Sequence, residues 1–310
     1  MADERHVPVL SQQVLEYLAP RAGGVVVDCT LGFAGHASAI ARRLGAEGHL
    51  IGFDRDPQAL ALAEARLQAL AEELGTAMPR VTLYGEPFSR IGEFVAADSV
   101  DGILADFGVS SMQLDQPERG FSFQADGPLD MRQDTRQRLT AEQVVNEMDE
   151  KQLANLIYEY GEERRSWRIA RAIVRARPLA STSQLARVVA GSAQSISKER
   201  IHPATRTFQA LRIFVNRELD EMRELMEAVP RLLRPAGRVV GISFHSLEDR
   251  IVKDALREGA AAGVWEVLTK KPVTATEEEM ARNPRARSAK LRAAVKTENS
   301  ERREKKFKRE

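Results

Sequence analysis

Short apolar runs alternate with amphipathic segments in the first third of the chain. The runs at 25–27, 49–53, 81–84 and 100–105 are rich in aliphatic residues and predict buried strands. Between them, apolar positions recur at helical spacing over 37–44 and 57–74, and Pro57 suits the first position of a helix. Strands that alternate with helices in this order indicate a parallel α/β sheet.

The spacing of apolar residues becomes helical after the fourth strand. A fifth strand is predicted only at 238–244, after a helix end and a turn with Pro235, and later strands at 264–268 and 291–295. In between, sequences like capping boxes begin helices at Thr140 and Asp149, another helix is predicted at 162–177, and a long helix begins near Pro203. We therefore predict a Rossmann-like α/β fold with a sheet of seven strands. Residues 1–136 and 204–310 would form the sheet domain, and 137–203 an inserted all-helical domain.

Composition limits the classes of protein that this chain can be. Its 310 residues are 43% hydrophobic and 29% charged, which allows a sizeable core and excludes a wholly disordered or collagen-like chain. Cys29 is the one cysteine, which excludes an internal disulfide framework, and the sequence gives no support for a metal site. The sequence has no apolar run of the roughly 18 residues that a membrane span needs and no apolar secretory signal, so we expect a cytoplasmic protein.

Charge is distributed unevenly along the chain. The net charge is +1, but residues 282–310 hold 12 Lys and Arg residues against 4 Glu. A basic tail on an otherwise acidic body is typical of proteins with a polyanionic partner. The alternative is a solvated tail that binds nothing.

The turn from the first strand to the first helix carries candidate ligand-binding residues. Asp28 precedes a glycine-containing loop that ends in Ala34, Gly35 and His36, and Asp54 closes the second strand. Ligands of open α/β sheets bind at the carboxyl ends of the strands, where a carboxylate can accept hydrogen bonds from ribose hydroxyls. This spacing fits NAD as well as S-adenosylmethionine, and a tight turn with a helix-capping Asp is the structural alternative. Asp28 favours the cationic S-adenosylmethionine over a pyrophosphate.

Longer motifs are more specific than this loop. They are HVPVL (6–10), DCTLGFAGH (28–36), GFDRD (52–56), DFGVSSMQLD (106–115), RGFSF (119–123), DGPLDMR (126–132), YGEER (160–164), HPATRTFQALRI (202–213), ISFHSLEDRIVK (242–253) and NPRARSAKLR (283–292). In this order the set resembles the RsmH family, also called MraW, over residues 6–292. The resemblance implies a class I methyltransferase fold and S-adenosylmethionine as the cofactor. It further implies methylation of the N4 amine of a decoding-site cytidine in 16S rRNA of the small ribosomal subunit.

The resemblance also implies which residues contact the cofactor. The family's contacts fall on Ala34, Gly35, His36, Asp54, Phe88, Asp106 and Gln113. Ala34 stands where the family usually has a glycine. If the backbone is left-handed there, the extra Cβ costs about 1 kcal/mol.

Asp106, Ser243 and His245 are the candidates for catalysis. Asp106 ends the fourth strand, where amino-methyltransferases of nucleic acids commonly place a polar residue, although the prolines that usually follow are missing here. Its carboxylate either orients the target amine or contacts the cofactor, and the sequence leaves both roles open. Ser243 and His245 follow the fifth strand. They either contact the target base or belong to a helix start that Ser246 caps.

A series of arginines predicts an RNA-binding surface. The series shares one side of the helix predicted at 162–177 and consists of Arg164, Arg168, Arg171 and Arg175. Such a stripe suits phosphate groups, whereas the alternative is a solvated face that pairs with neighbouring glutamates. Phe121 and Phe123 are either a wedge beside the target base or core residues.

Other functions share parts of this pattern. They are a DNA cytosine-N4 methyltransferase, an NAD-dependent dehydrogenase and a non-catalytic assembly factor of the small ribosomal subunit. The sequence does not determine the oligomeric state, and a homodimer is one option.

Overall fold

The computed structural model describes residues 8–192 and 202–298 and contains one sheet of seven strands. The strands are β1 Val25–Asp28, β2 His49–Phe53, β3 Arg80–Tyr84, β4 Val100–Asp106, β5 Leu233–Ser243, β6 Trp265–Val267 and β7 Lys290–Lys296. Their order is β3-β2-β1-β4-β5-β7-β6, in which β1 to β5 pair in parallel and β7 is antiparallel to both β5 and β6. The predicted Rossmann-like α/β fold is confirmed.

Helices precede the first strand and connect the strands that follow. They are α1 Ser11–Leu18, α2 Gly35–Leu44, α3 Pro57–Leu74, α4 Ile91–Phe94, α5 Ser111–Asp115, α6 Ala141–Glu147, α7 Glu150–Gly161, α8 Ser166–Ala176, α9 Thr182–Ser192, α10 Thr205–Asn216, α11 Glu218–Leu232, α12 Ser246–Ala261 and α13 Glu277–Arg282. In the described part of the chain, no helix is both long and apolar enough to cross a membrane.

The central strands are buried because helices cover both faces of a parallel sheet. Val26 and Val27 of β1 and Ile103 and Leu104 of β4 are each at most 1% exposed. This explains why these strands appear in the sequence as continuous apolar runs rather than as alternating patterns. The result is a rigid support for the loops that follow β1, β2 and β4.

The chain divides into two compact units. One unit comprises Met1–Gly108 with Leu219–Glu310 and contains the sheet, and the other comprises Val109–Glu218 and is helical. The helical unit is therefore longer at both ends than the insertion predicted at 137–203. The reason is its hydrophobic core, in which Phe121, Leu129 and Met131 pack with residues of α6 to α10.

Two helix boundaries differ from the sequence predictions. The helix predicted at 162–177 begins only at Ser166, because Glu162 adopts a left-handed backbone (φ 49°) that ends α7. The long helix predicted from Pro203 is divided at Arg217, which is also left-handed (φ 51°). Asn216 fixes this break, since its side-chain amide donates to the carbonyl oxygens of Met131 and Arg212.

Some sequence motifs lie outside the described residues. They are the start of the HVPVL motif at residues 6 and 7 and the end of the basic tail at 299–310. The predicted role of the tail therefore stays a prediction.

Candidate active site

Three carboxylates come together at the carboxyl ends of the central strands. Asp28 ends β1, Asp106 ends β4, and Asp54 follows β2. Because β1 pairs with β2 on one side and with β4 on the other, the direction of the sheet connections reverses here. In open α/β sheets such a switch point is where ligands bind.

The glycine loop after β1 is held against the end of β2. The backbone N–H of Gly32 donates to Asp54 Oδ2 at 2.8 Å, and the N–H of Leu31 donates to the carbonyl oxygen of Phe53 at 2.9 Å. Asp54 Oδ1 accepts the N–H of Asp56 at 2.9 Å. Both oxygens of Asp54 are thus oriented by the backbone, and each keeps capacity for a further donor.

Ala34 adopts a left-handed backbone, the conformation in which its extra Cβ is expected to be costly. Its φ is 55°, and it directly precedes the first residue of α2, Gly35. A Cβ on Gly35 would lie 3.1 Å from Cγ of Pro8, so the N-terminal segment approaches the loop closely. The loop therefore bears the expected strain of about 1 kcal/mol at Ala34.

Burial changes the acidity of Asp28 and Asp54. Removal from water raises the pKa of Asp28 to about 6, and the nearby His36 and a hydrogen bond from the N–H of Thr30 oppose this rise. Burial likewise raises the pKa of Asp54 to about 6, against the two backbone hydrogen bonds that favour its ionised form. The site therefore holds two carboxylates that are costly to ionise without a cation.

Several buried polar atoms of the site have no hydrogen-bond partner among the described residues. They are Asp28 Oδ2, both ring nitrogens of His36 and Asp106 Oδ1. His36 Nε2 lies 3.6 Å from Asp106 Oδ2, which is too far for a hydrogen bond. Since buried polar atoms are nearly always paired, this cluster is suited to a polar, positively charged ligand.

Aromatic side chains from the loops that follow β3 and β4 lie close together. The ring of Phe88, which follows β3, lies 5.9 Å from the ring of the buried Phe107 after β4. Cζ of Arg55 lies 5.8 Å from the centre of the Phe88 ring, and its guanidinium contacts Glu221 at 3.1 Å. Arg55 and Phe107 were not predicted as site residues, although Arg55 directly follows Asp54 and Phe107 directly follows Asp106.

Thr30 is a further residue that the sequence analysis missed. Its hydroxyl accepts the N–H of Asp106 at 2.7 Å, which ties the loop after β1 to the end of β4. Thr30 lies two residues after Asp28, the last residue of β1, and this position could have indicated a place in the site.

Ser243 and His245 both have structural partners. Ser243 is buried and its hydroxyl donates to the carbonyl oxygen of Lys290 at 3.4 Å. His245, rather than Ser246, caps α12, because its Nδ1 accepts the N–H of Glu248 and the carboxylate of Glu248 accepts the N–H of His245. The expected cap at Ser246 is thus wrong by one residue.

Gln113 belongs to the helical unit, at the start of α5. Its side chain accepts the N–H of Ser110 at 3.1 Å, and the hydroxyl of Ser110 accepts the N–H of Gln113 at 3.2 Å. This reciprocal capping box gives the residue a structural role. Its contact with the cofactor stays a prediction.

The arginine series lies on two elements of the helical unit rather than on one helix. Arg168, Arg171 and Arg175 share the exposed face of α8, whereas Arg164 lies in the turn before it. Arg171 pairs with Glu150 at 3.1 Å. Among the described residues, Arg164, Arg168 and Arg175 have no carboxylate partner, and Glu163 is instead buried beside Arg206. The alternative of a face neutralised by neighbouring glutamates is therefore not supported.

Phe121 is a core residue of the helical unit, and the half-buried Phe123 packs against that core. Phe121 is 6% exposed, and the ring of Phe123 lies 4.8 Å from the ring of Phe208 and 4.7 Å from that of His202. The packing of both rings agrees with the core interpretation of the RGFSF motif.

Comparison with known proteins decides the family. Residues 3–297 match the sequence profile described as the MraW methylase family. The chain belongs to the MraW methylase family. This membership confirms a methyltransferase with S-adenosylmethionine as its cofactor, and it removes the NAD-dependent alternative.

Relatives of this MraW chain match it over nearly their whole length. A protein from Acidobacterium capsulatum named ribosomal RNA small subunit methyltransferase H is 64% identical over 96% of this chain and 100% of its own length. A protein of the same name from Koribacter versatilis is 59% identical over 94% of this chain and 93% of its own. A solved structure of a putative rRNA-methylase from Clostridium thermocellum is only 12% identical and has a TM-score of 0.46 over 92% of this chain and 94% of its own.

The raised pKa of Asp28 in this MraW chain gives a prediction for stability. The folded state binds a proton more tightly than the unfolded state, so the contribution of Asp28 to stability falls as the pH rises from about 4 to about 6. The substitution Asp28→Asn removes the buried charge. At pH 8 and without cofactor, we expect it to raise the free energy of unfolding by up to about 3 kcal/mol, since one pKa unit corresponds to about 1.4 kcal/mol.

Denaturant unfolding between pH 4 and pH 8 measures this difference. The gain from Asp28→Asn should shrink to near zero at pH 4, whereas Glu72→Gln on the exposed face of α3 serves as the control and should follow the wild-type profile. A gain that does not depend on pH, or a destabilisation at pH 8, would contradict the assigned cost of ionising Asp28.

Proposed function

We propose that this chain transfers the methyl group of S-adenosylmethionine to N4 of a decoding-site cytidine in 16S rRNA of the small ribosomal subunit. The observation that carries the proposal is the near-full-length match to proteins named ribosomal RNA small subunit methyltransferase H. These names describe the relatives as methyltransferases of the small-subunit rRNA. The cytidine and its N4 position rest on the resemblance of the motifs.

The residues at the carboxyl ends of β1, β2 and β3 would hold the cofactor. In this proposal the ionised Asp28 favours the positive charges of S-adenosylmethionine, and Asp54 accepts hydrogen bonds from its ribose hydroxyls. The half-buried Phe88 ring provides an apolar surface for the adenine. The loop of Ala34, Gly35 and His36 approaches the cofactor with its backbone.

Asp106 is the proposed catalytic residue. S-adenosylmethionine supplies an electrophilic methyl group, and the cytidine amine must present its lone pair and afterwards lose a proton. The lone pair of that amine is delocalised into the ring, so an acceptor for its N–H hydrogens helps the nitrogen to become nucleophilic. Asp106 Oδ1 is an acceptor without a partner among the described residues. A second role, contact with the cofactor, uses the same carboxylate.

Ser243 and His245 lie beyond β5, the neighbour of β4, and are proposed to line the place of the target base. Because both already have partners in the chain, we assign them to positioning of the loop rather than to proton transfer.

The exposed face of α8 is the proposed contact with RNA phosphates. Arg168 and Arg175 have no carboxylate partner among the described residues, and Arg164 adds a third such cation in the preceding turn. Arginine binds phosphate in a bidentate manner, so these residues would position the RNA without reading its sequence. The target base must leave its stack to reach the methyl donor.

Methyl transfer from labelled S-adenosylmethionine tests the proposed function directly. Unmodified 30S subunits, naked 16S rRNA and duplex DNA are compared, and the labelled nucleosides are identified by mass spectrometry. We expect N4-methylcytidine from the ribosomal substrate, and a loss of about 10²- to 10⁴-fold in rate for Asp106→Asn with Glu72→Gln unchanged. Label in DNA alone would indicate a DNA methyltransferase. Intact cofactor binding without label in any sample would indicate an assembly factor.

Salt dependence of RNA binding tests the arginine face. The double variant Arg168→Ala/Arg175→Ala should bind the substrate RNA more weakly and should reduce the slope of log K against log salt by about 1.4 to 1.8. The control is Arg136→Ala/Arg187→Ala in the same unit, because Arg136 pairs with Asp134 and Arg187 donates to the carbonyl oxygen of Ser183. Equal slopes for the two double variants would contradict the assignment.

A further inference from the structure

The NPRARSAKLR motif and the segment before it form an unassigned basic surface on the sheet unit. Residues 268–292 hold seven Lys and Arg residues against three Glu. Three of the cations have carboxylate partners, since Arg282 pairs with Glu278, and Lys290 and Arg292 pair with Asp249. Arg285 has other contacts in the chain. Lys270, Lys271 and Arg287 remain, and these three are exposed and have no ion pair with any described residue.

Strand pairing places these three cations at the edge of the sheet that carries the methyl-donor site. β7 runs antiparallel to β5, and its first residue, Lys290, lies opposite Ser243 at the carboxyl end of β5. Arg287 comes three residues before Lys290, so it lies beyond that same edge. β4, which ends in Asp106, is the other neighbour of β5. With strands spaced about 4.8 Å apart, β7 is about 10 Å from β4.

Lys270 and Lys271 are held beside the start of β7. The hydroxyl of Thr269 accepts the N–H of Ala293 at 2.9 Å, and Val273 exchanges two backbone hydrogen bonds with Leu291, at 2.9 and 2.8 Å. Both ends of the short segment that carries the two lysines are therefore tied to the strand. The backbone of this segment is already ordered, so it loses little conformational entropy when the lysines bind a ligand.

Arg287 is presented by a short 3-10 helix, Pro284–Ser288. Ala286 and Ala289 on either side of it are fully buried, and the side chain of Asn283 caps the helix by accepting the N–H of Arg285. Buried small residues flank the exposed cation and fix where its backbone lies. Such an arrangement is more than a solvated run of charges, because the backbone of all three cations is fixed by the fold.

We propose that Lys270, Lys271 and Arg287 bind the phosphate backbone of the RNA strand that carries the target nucleotide. The inference rests on the proposed function, since it takes the methyl acceptor to be RNA. The proposed ligand of this surface is RNA because the three cations lie at the same edge of the sheet as the methyl-donor residues. An RNA strand whose base reaches Asp106 brings its phosphate groups to this edge. Lysine and arginine at such positions add affinity and register without reading the sequence.

The test compares two triple variants of the full-length protein. One is Lys270→Ala/Lys271→Ala/Arg287→Ala. The control is Arg21→Ala/Arg43→Ala/Arg80→Ala, which removes three exposed cations of the same unit at the opposite, amino edge of the sheet. Binding of unmodified 16S rRNA is measured over a series of salt concentrations, together with kcat and KM for 30S subunits and the affinity for S-adenosylmethionine.

We expect the first variant to lose about 2 to 3 from the slope of log K against log salt, since each phosphate contact contributes about 0.7 to 0.9. Its KM for 30S subunits should rise at least tenfold, with kcat and cofactor affinity unchanged. The control should retain the wild-type slope. The charge-preserving variant Lys270→Arg/Lys271→Arg/Arg287→Lys should restore binding, which separates loss of charge from misfolding.

Equal slopes for the two alanine variants, beside normal methylation by the wild type, would overturn this inference and leave the proposed function intact. The same holds if binding is lost but the charge-preserving variant does not restore it. A wild-type protein that neither binds nor methylates RNA would overturn both. If the wild-type protein uses these three residues to bind an acidic polypeptide but not RNA, the surface belongs to a protein partner. That result would also overturn the inference.

Discussion

The site depends on carboxylates that the fold places at the switch point of a parallel sheet, where Asp28 is buried and Asp54 is half-buried. Asp28 and Asp54 lie at the ends of β1 and β2, and backbone N–H groups fix both of them. Burial raises the pKa of each carboxyl group to about 6. Their ionisation at neutral pH therefore lowers the free energy of unfolding. In the proposed function, a positively charged cofactor recovers this cost when it binds. The loop after β1 has a left-handed residue at Ala34.

Each of the two units carries a basic surface that is proposed to bind RNA. A methyl acceptor has to reach the carboxyl edge of the sheet, where Asp106 lies, and an RNA acceptor brings a phosphate backbone with it. The sheet unit offers Lys270, Lys271 and Arg287 at that edge, and the helical unit offers Arg168 and Arg175 on α8. In the described part of the chain, none of these five cations is held by a carboxylate, in contrast to Arg292 and Lys296. In the proposed function, these exposed cations bind the RNA, whereas the carboxylates at the strand ends serve the cofactor and the reaction.

Much of the fold could be predicted from the sequence because the parallel strands are buried on both faces. The strand at 49–53 and the helix at 57–74 were predicted with their observed bounds, since an apolar run and a proline at a helix start are strong local signals. The breaks at Glu162 and Arg217 were missed because neither residue type favours a left-handed backbone, and tertiary contacts such as those of Asn216 impose it. In the site, Asp28, Asp54 and Asp106 were found from strand ends. Arg55 and Thr30 were not, because their roles arise from contacts between elements that are distant in sequence.

Isothermal titration of S-adenosylmethionine into the protein near pH 6, in two buffers that differ in ionisation enthalpy, tests the central claim most directly. If Asp28 and Asp54 are each about half protonated before binding and ionised after it, binding should release up to about one proton. The affinity should also increase as the pH rises from 5 to 8, and Asp28→Asn should release fewer protons. Binding without proton release at pH 6, or with proton uptake, would contradict the account of a site built on buried carboxylates.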